Sequence, residues 1–294
     1  SGYKIQITSY DDLISNKKVL LDSDSISKKD SFNLIFESGQ IRQISLQTGF
    51  YDLSFFAEPG QNYRLSCDSV QLAGEYRPFY YTELLPCSPD AEFELNKKIN
   101  HFNALYNDFV LEEFGGIYQR RNLRAIEMFE STTDSLFGIP GNDFFGLYRE
   151  YKVASLILSI APTKKATLFR KYIDDREIQY QHPEYIHFFK EFFSHRLIYD
   201  NRFIRRYEMK NLINQKADYA ALIDSIGKDT LLRNERIREL VLLLNLKELY
   251  HEPDFNPFNI LDYLLLISEE SEFPEHRNIA ENLYSVLTKL EKGF

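Results

Sequence analysis

His187, Glu191 and His195 stand at i, i+4 and i+8, a spacing that would line three side chains along one face of a continuous helix. Two imidazoles and a carboxylate make a zinc donor set, although productive sites add a ligand or a supporting group from a neighbouring turn. His182 and Glu184 lie close by in the chain. The same stretch carries Phe188, Phe189, Phe192 and Phe193. Those rings claim the side that faces a core, which leaves the histidines on a wet face, and no metal role is assigned to them.

Carboxylates gather at Glu269, Glu270, Glu272 and Glu275, just before and after Pro274. A general acid–base pair needs one carboxyl desolvated and the other ionised. A run beside a helix-starting proline reads more simply as a solvated loop whose negative charge favours the helix N-terminus. Nucleophilic signatures are missing: there is no GxSxG and no Cys-centred motif. Gly115-Gly116 and Gly138-Ile139-Pro140-Gly141 follow no strand and lack the GxxxxGK[ST] pattern of a phosphate loop. Cys67 and Cys87 are the only cysteines and do not form a CxxC pair. They could be two separate thiols or, in an oxidising compartment, a disulfide, and spacing does not decide between them. No residue is therefore expected to be catalytic, cofactor-binding or metal-binding.

The chain has 294 residues, 44% of them hydrophobic, enough to bury a sizeable core. Against 44 acidic residues stand 35 Lys and Arg, and the net charge of -9 argues against a general nucleic-acid binder. Basic residues do gather within 195–210, at Arg196, Arg202, Arg205, Arg206 and Lys210, where a solvated helix-and-turn face is expected. Aromatic rings are plentiful, 24 Phe and 20 Tyr with no Trp. No apolar run is long enough to span a bilayer, and Leu240 to Leu246 reads as a buried helix. Ser1-Gly2 leading directly into a strand looks like a trimmed or processed start.

Two kinds of sequence must position these residues. Up to about residue 73 the pattern alternates, with strands expected at 3–8, 18–22, 31–38, around Ile41, Ile44 and Leu46, at 51–56, and resuming at Tyr63 and Leu65. Pro59-Gly60 supplies a type II turn between the last two. From about residue 91 the period becomes helical, beginning with the stripe Leu95, Ile99, Phe102, Tyr106 and Phe109. Further helices are expected over 118–137 and 143–161, after Pro183, over 236–250 behind Asn234, after Asn256-Pro257, and from Pro274. The fold expected is α+β in two domains: a small N-terminal antiparallel β-sandwich over 1–75, a seam over 76–90, and a larger all-α domain over 91–294.

An ordered series of residues adds a family likeness. Asp30-Ser31-Phe32, Glu58-Pro59-Gly60 with Tyr63, Pro78-Phe79-Tyr80-Tyr81, and Leu95-Asn96 with Ile99 and Phe102 resemble the N-terminal, non-catalytic region of bacterial TlpA-like thiol-disulfide oxidoreductases. The stretch Leu287-Thr288-Lys289-Leu290-Glu291-Lys292-Gly293 looks like the lead-in to their C-terminal thioredoxin-like domain. The catalytic CxxC and the cis-proline loop of that domain have no counterpart, and Cys67 and Cys87 do not take the CxxC role. The resemblance implies an accessory region that positions a thioredoxin-like domain, associates with itself or holds a client protein. It also implies export to the periplasm or cell envelope, with a membrane link only through a lipid anchor removed from the N-terminus. The alternative from another class is a stand-alone envelope module that binds a peptide or glycan.

Overall fold

The computed structural model describes residues 4–27, 31–48, 51–63, 95–199, 203–215 and 219–291. Alternation builds four strands, β1 (Lys4–Tyr10), β2 (Lys18–Ser25), β3 (Arg42–Thr48) and β4 (Tyr51–Ala57). They form one antiparallel sheet in the order β2-β1-β3-β4. Ile7 pairs with Leu46 and Ile44 with Phe55. Ile5, Ile7, Ile44, Leu46, Phe55 and Ala57 bury one core cluster. The residues expected to form a strand at 31–38 instead make no ladder. Phe32, Leu34 and Phe36 pack against the sheet cluster, while the alternate N–H groups of Asn33 and Ile35 donate to the carboxylates of Asp24 and Asp22, both at 2.8 Å. Side chains of β2 thus replace its backbone as the partner. At Pro59-Gly60 the expected turn is present, with Gly60 at φ 73°, a region only glycine enters at little cost.

Helices follow. Helix α1 (Leu95–Glu112) buries Leu95, Ile99 and Phe102 of the expected stripe. Its second residue, Asn96, closes the open edge of β4: Phe56 N donates to Asn96 Oδ1 at 2.7 Å, and Asn96 Nδ2 donates to Phe56 O at 2.8 Å. Gly115-Gly116 ends the α-helix through a π-turn, Gly115–Gln119, so α2 (Leu123–Phe137) starts later than its apolar pattern suggests, capped by Asn122. Helix α3 spans Phe144–Ile160. On it, Arg149 is buried within 6.0 Å of the Phe102 ring, 5.3 Å of Phe137 and 5.6 Å of Phe145. Its guanidinium meets Asp134 at 2.6 Å and the Gly138 carbonyl at 2.9 Å. Rings and a carboxylate together offset the cost of removing that cation from water.

The remaining helices are α4 (Lys165–Tyr172), α5 (Pro183–Phe193), α6 (Arg206–Asn214), α7 (Tyr219–Ile226), α8 (Glu235–Leu249), α9 (Pro257–Glu270) and α10 (Pro274–Glu291). The expected caps are in place: Asn234 Oδ1 accepts from Ile237 N at 3.1 Å, and Asn256 Oδ1 from Phe258 N at 3.0 Å. Residues Leu240 to Leu246 of α8 are buried all round, as their unbroken apolar run predicts. None of the described helices is long and apolar enough to cross a membrane.

By packing, the chain divides into one unit of Ser1–Asp11 with Lys18–Val153, and another of Asp12–Lys17 with Ala154–Phe294. The division falls inside α3. Cys67, Cys87 and the aromatic run at Phe79-Tyr80-Tyr81 lie outside the described residues.

Candidate functional site

The residues with metal-like spacing do not converge. Helix α5 ends at Phe193, and His195 turns off it with a left-handed φ of 52°. Its backbone N donates to Glu248 Oε2 at 2.8 Å, so the third position of the stripe is carried toward α8. His187 and Glu191 remain an exposed neighbouring pair, Nε2 to Oε1 at 3.4 Å. His182 is buried as the N-cap of α5, its Nδ1 accepting from Tyr185 N at 3.3 Å. Among the described residues no three His, Cys, Asp or Glu side chains gather as a metal site.

The basic cluster also resolves differently from the expectation of a uniformly solvated face. Arg196 is buried, its Nε and Nη2 at 2.8 and 2.7 Å from Asp229 Oδ2, and Asp229 is fully buried. Arg206 and Lys210 do lie on a wet helix face, both reaching Asp254. Arg202 lies outside the described residues. Of the acidic run, Glu269, Glu270 and Glu272 are exposed, but Glu269 and Glu270 form the last turn of α9 rather than the expected loop. Glu275 is different, because Arg236 Nη2 meets its Oε2 at 2.7 Å.

That ion pair is the outer end of a titratable cluster in the helical unit. Arg236 Nε donates to Tyr180 Oη at 3.0 Å. The same phenol oxygen lies 2.8 Å from His276 Nε2, and His276 Nδ1 lies 2.7 Å from Glu239 Oε1. Tyr219 Oη donates to Glu239 Oε2 at 2.7 Å, and the Ser271 hydroxyl donates to Oε1. Since an ionised carboxylate only accepts, His276 Nδ1 carries a proton toward it. His276 is wholly buried, and Glu239 and Ser271 nearly so.

Local sequence explains each position. Arg236 and Glu239 share one face of α8 at i, i+3. Ser271 is the C-cap of α9, and its oxygen also accepts from Phe273 N at 3.1 Å, bending the chain into Pro274. His276 then sits in the first turn of α10.

Electrostatically the cluster stabilises one carboxylate. Burial works to raise the Glu239 carboxyl, but the hydrogen bonds from His276, Ser271 and Tyr219 outweigh it and hold the group below its ordinary value. Burial pushes the Tyr180 phenol up to about 12, against the opposing pull of Arg236. Burial and the adjacent Glu239 carboxylate push Tyr219 up further. Both phenols therefore stay protonated donors at neutral pH. The arrangement is a hydrogen-bonded chain from Tyr180 through the imidazole to Glu239. Ser271 is directed at the carboxylate rather than at the imidazole, so the serine, histidine and acid are not wired as a nucleophilic triad. The cluster fastens α8, the α9–α10 corner and the loop before α5.

Only Glu275 of this cluster stood out in the sequence. Glu239, His276, Tyr180 and Tyr219 carry no shared motif, and Tyr180 lies 96 positions from His276. The local signals that exist are Ser271 ahead of Pro274 and the i, i+3 pair on α8. No family model, curated protein or solved structure matches the chain.

Proposed function

We propose that the chain is an accessory region of an exported thiol-disulfide oxidoreductase: a small β-sandwich and a helical domain that position a thioredoxin-like domain or hold a client, without redox chemistry of their own. The observation that carries this reading is the order of parts. A four-stranded antiparallel sheet, ending in the Pro59-Gly60 turn, precedes a long run of helices, and Asn96 of the quoted series joins the two by gripping β4. Large exposed apolar side chains suit a protein partner: Leu111, Phe114 and Met128 in the first unit, Tyr207 and Phe258 in the second. A periplasmic or envelope location, with a lipid anchor, belongs to the same proposal.

The test is to read the coding frame beyond Phe294 and to assay insulin reduction by the chain alone and by the full-length product. The expected result is a following domain with a CxxC motif, reduction by the full-length protein, and none by the chain alone. A frame with no such domain would overturn the accessory reading and favour a stand-alone binding module for a peptide or glycan. Robust turnover by the isolated chain would overturn both.

A further inference from the structure

Segment 31–38 has the sequence pattern of a strand without a strand's ladder. The loop before it is closed by Ser27 N, which donates to Ser31 O at 3.0 Å. Beyond that point each carboxylate of β2 bridges two donors. Asp24 accepts from Ser25 N at 2.7 Å and from Asn33 N at 2.8 Å. Asp22 accepts from Ser23 N and from Ile35 N, both at 2.8 Å. The segment therefore runs antiparallel to β2, one carboxylate away from it. Its bonded N–H groups belong to alternate residues, so the N–H and C=O groups of Phe32, Leu34 and Phe36 point to the other side. Among the described residues those groups meet no hydrogen-bond partner. At the opposite end of the sheet the same liability is closed, because Asn96 grips the edge of β4.

Unmet edge groups are a template for a further strand, and the residues of the segment select which one. Phe32 and Phe36 flank Leu34 symmetrically. An antiparallel copy centred on Leu34 sets Leu34 against Leu34 and Phe32 against Phe36, on the face where all three already pack over the sheet core. On the other face Ile35, 73% exposed, becomes the diagonal neighbour of its own equivalent, within reach for aliphatic contact. Charge fixes the direction. Glu37 is the only charged residue of 31–38; it falls opposite Ser31 in this register, whereas a parallel, in-register copy would oppose Glu37 to Glu37.

We propose that segment 31–38 is a self-association edge, to which a second copy of this chain adds antiparallel through the N–H and C=O groups of Phe32, Leu34 and Phe36. The pairing is isologous, the same patch serving both copies, so it closes at a dimer. The edge is short and covers far less than the roughly 800 Å² per partner of a stable interface, so the dimer is transient, with a dissociation constant of about 0.1–1 mM.

The test takes the full chain, labelled with nitrogen-15, through a concentration series that spans this constant, read by sedimentation equilibrium and by NMR. The amide signals of Leu34 and Phe36 should move in proportion to the dimer fraction. Those of Asn33 and Ile35, already bonded to carboxylates, should move far less. Ile35→Lys, at an exposed position, sets like charges diagonal to one another and should weaken the dimer by about tenfold, whereas Ile35→Val should retain it. A chain that stays monomeric throughout would overturn the proposal. So would a dimer that leaves the Leu34 and Phe36 amides unmoved, because it would then form on another surface. Undiminished association by a folded Ile35→Lys protein would overturn it as well; should that variant not fold, the amide signals of the unaltered chain decide.

Discussion

A buried carboxylate such as Glu239 is ionised only because Tyr219, Ser271 and His276 all point hydrogen-bonding groups at it. Truncating it strands all three inside the helical unit. Glu239→Ala should destabilise the protein by about 2–5 kcal/mol, read from urea unfolding. Because its folded pKa is depressed below 4.5, Glu239 contributes stability that is present above the unfolded pKa and is lost as pH falls through the folded one. Glu239→Gln should flatten that acid limb, and an unchanged limb would show that the network does not govern acid unfolding. Lys190 works in the opposite direction. Its pKa is lowered from 10.5 to about 8, so between those values the unfolded chain binds more protons and stability rises with pH. Lys190→Met should reduce this rise, leaving the part due to Lys247, whose pKa burial also lowers, and stabilise the protein at pH 7 by on the order of 2 kcal/mol. A slope as steep as that of the unaltered chain would mean that Lys190 is not a source of it. Above pH 10 the raised pKa of Tyr180, about 12, turns the trend over, since there the folded state retains the proton.

Among the elements, the least conventional contact is the grip of α1 on the edge of β4. The Asn96 amide donates to and accepts from the same residue, Phe56, as a neighbouring strand would. This meets the liability of an open edge with a side chain. Asn96→Ala should cost about 1–3 kcal/mol, because two buried backbone groups lose their partner. It should also make light scattering rise with protein concentration as β4 becomes available for pairing. A monodisperse variant of full stability would remove Asn96 from that role. Nothing local in the sequence announces the contact. What was readable there were devices that act within a few residues: Asn234 and Asn256 as caps, Pro183, Pro257 and Pro274 opening helices, and the alternation of β1, β3 and β4. The stretch 31–38 alternates as well as any strand, but the carboxylates of Asp22 and Asp24 take its N–H groups, a choice alternation cannot reveal. Helices α4, α6 and α7 escaped notice because each is short, with only two or three buried side chains. The Glu239 cluster escaped for a different reason: its members come from distant segments and meet only after the helices pack.

For the molecule as a whole, chain order and packing disagree at Asp12–Lys17, which lies between two strands in sequence but belongs to the helical unit. The bonds that hold it span 270 positions from Asp12 to Asn282, and 233 from Ile14 to Lys247. Contacts of such separation form only after a large loss of chain entropy, and they slow folding. They must therefore be strong individually, and Asp12 is: its carboxylate orders the turn through two backbone N–H groups and the Ser15 hydroxyl, and holds α10 through Asn282. Asp12→Ala leaves those donors without their acceptor in a buried setting and should cost about 2–4 kcal/mol. The location of the loss distinguishes this account from a simple weakening of the sheet. Amide hydrogens of α8 and α10 should exchange at least roughly 30-fold faster, the factor that corresponds to the lower figure, while the β1–β3 and β3–β4 ladders keep their protection. Asp12→Asn, which retains one acceptor oxygen for the turn, should fall between the two. Faster exchange confined to the strands would instead assign the turn's energy to the sheet, and the lysine contacts from α5 and α8 would then be incidental to its placement.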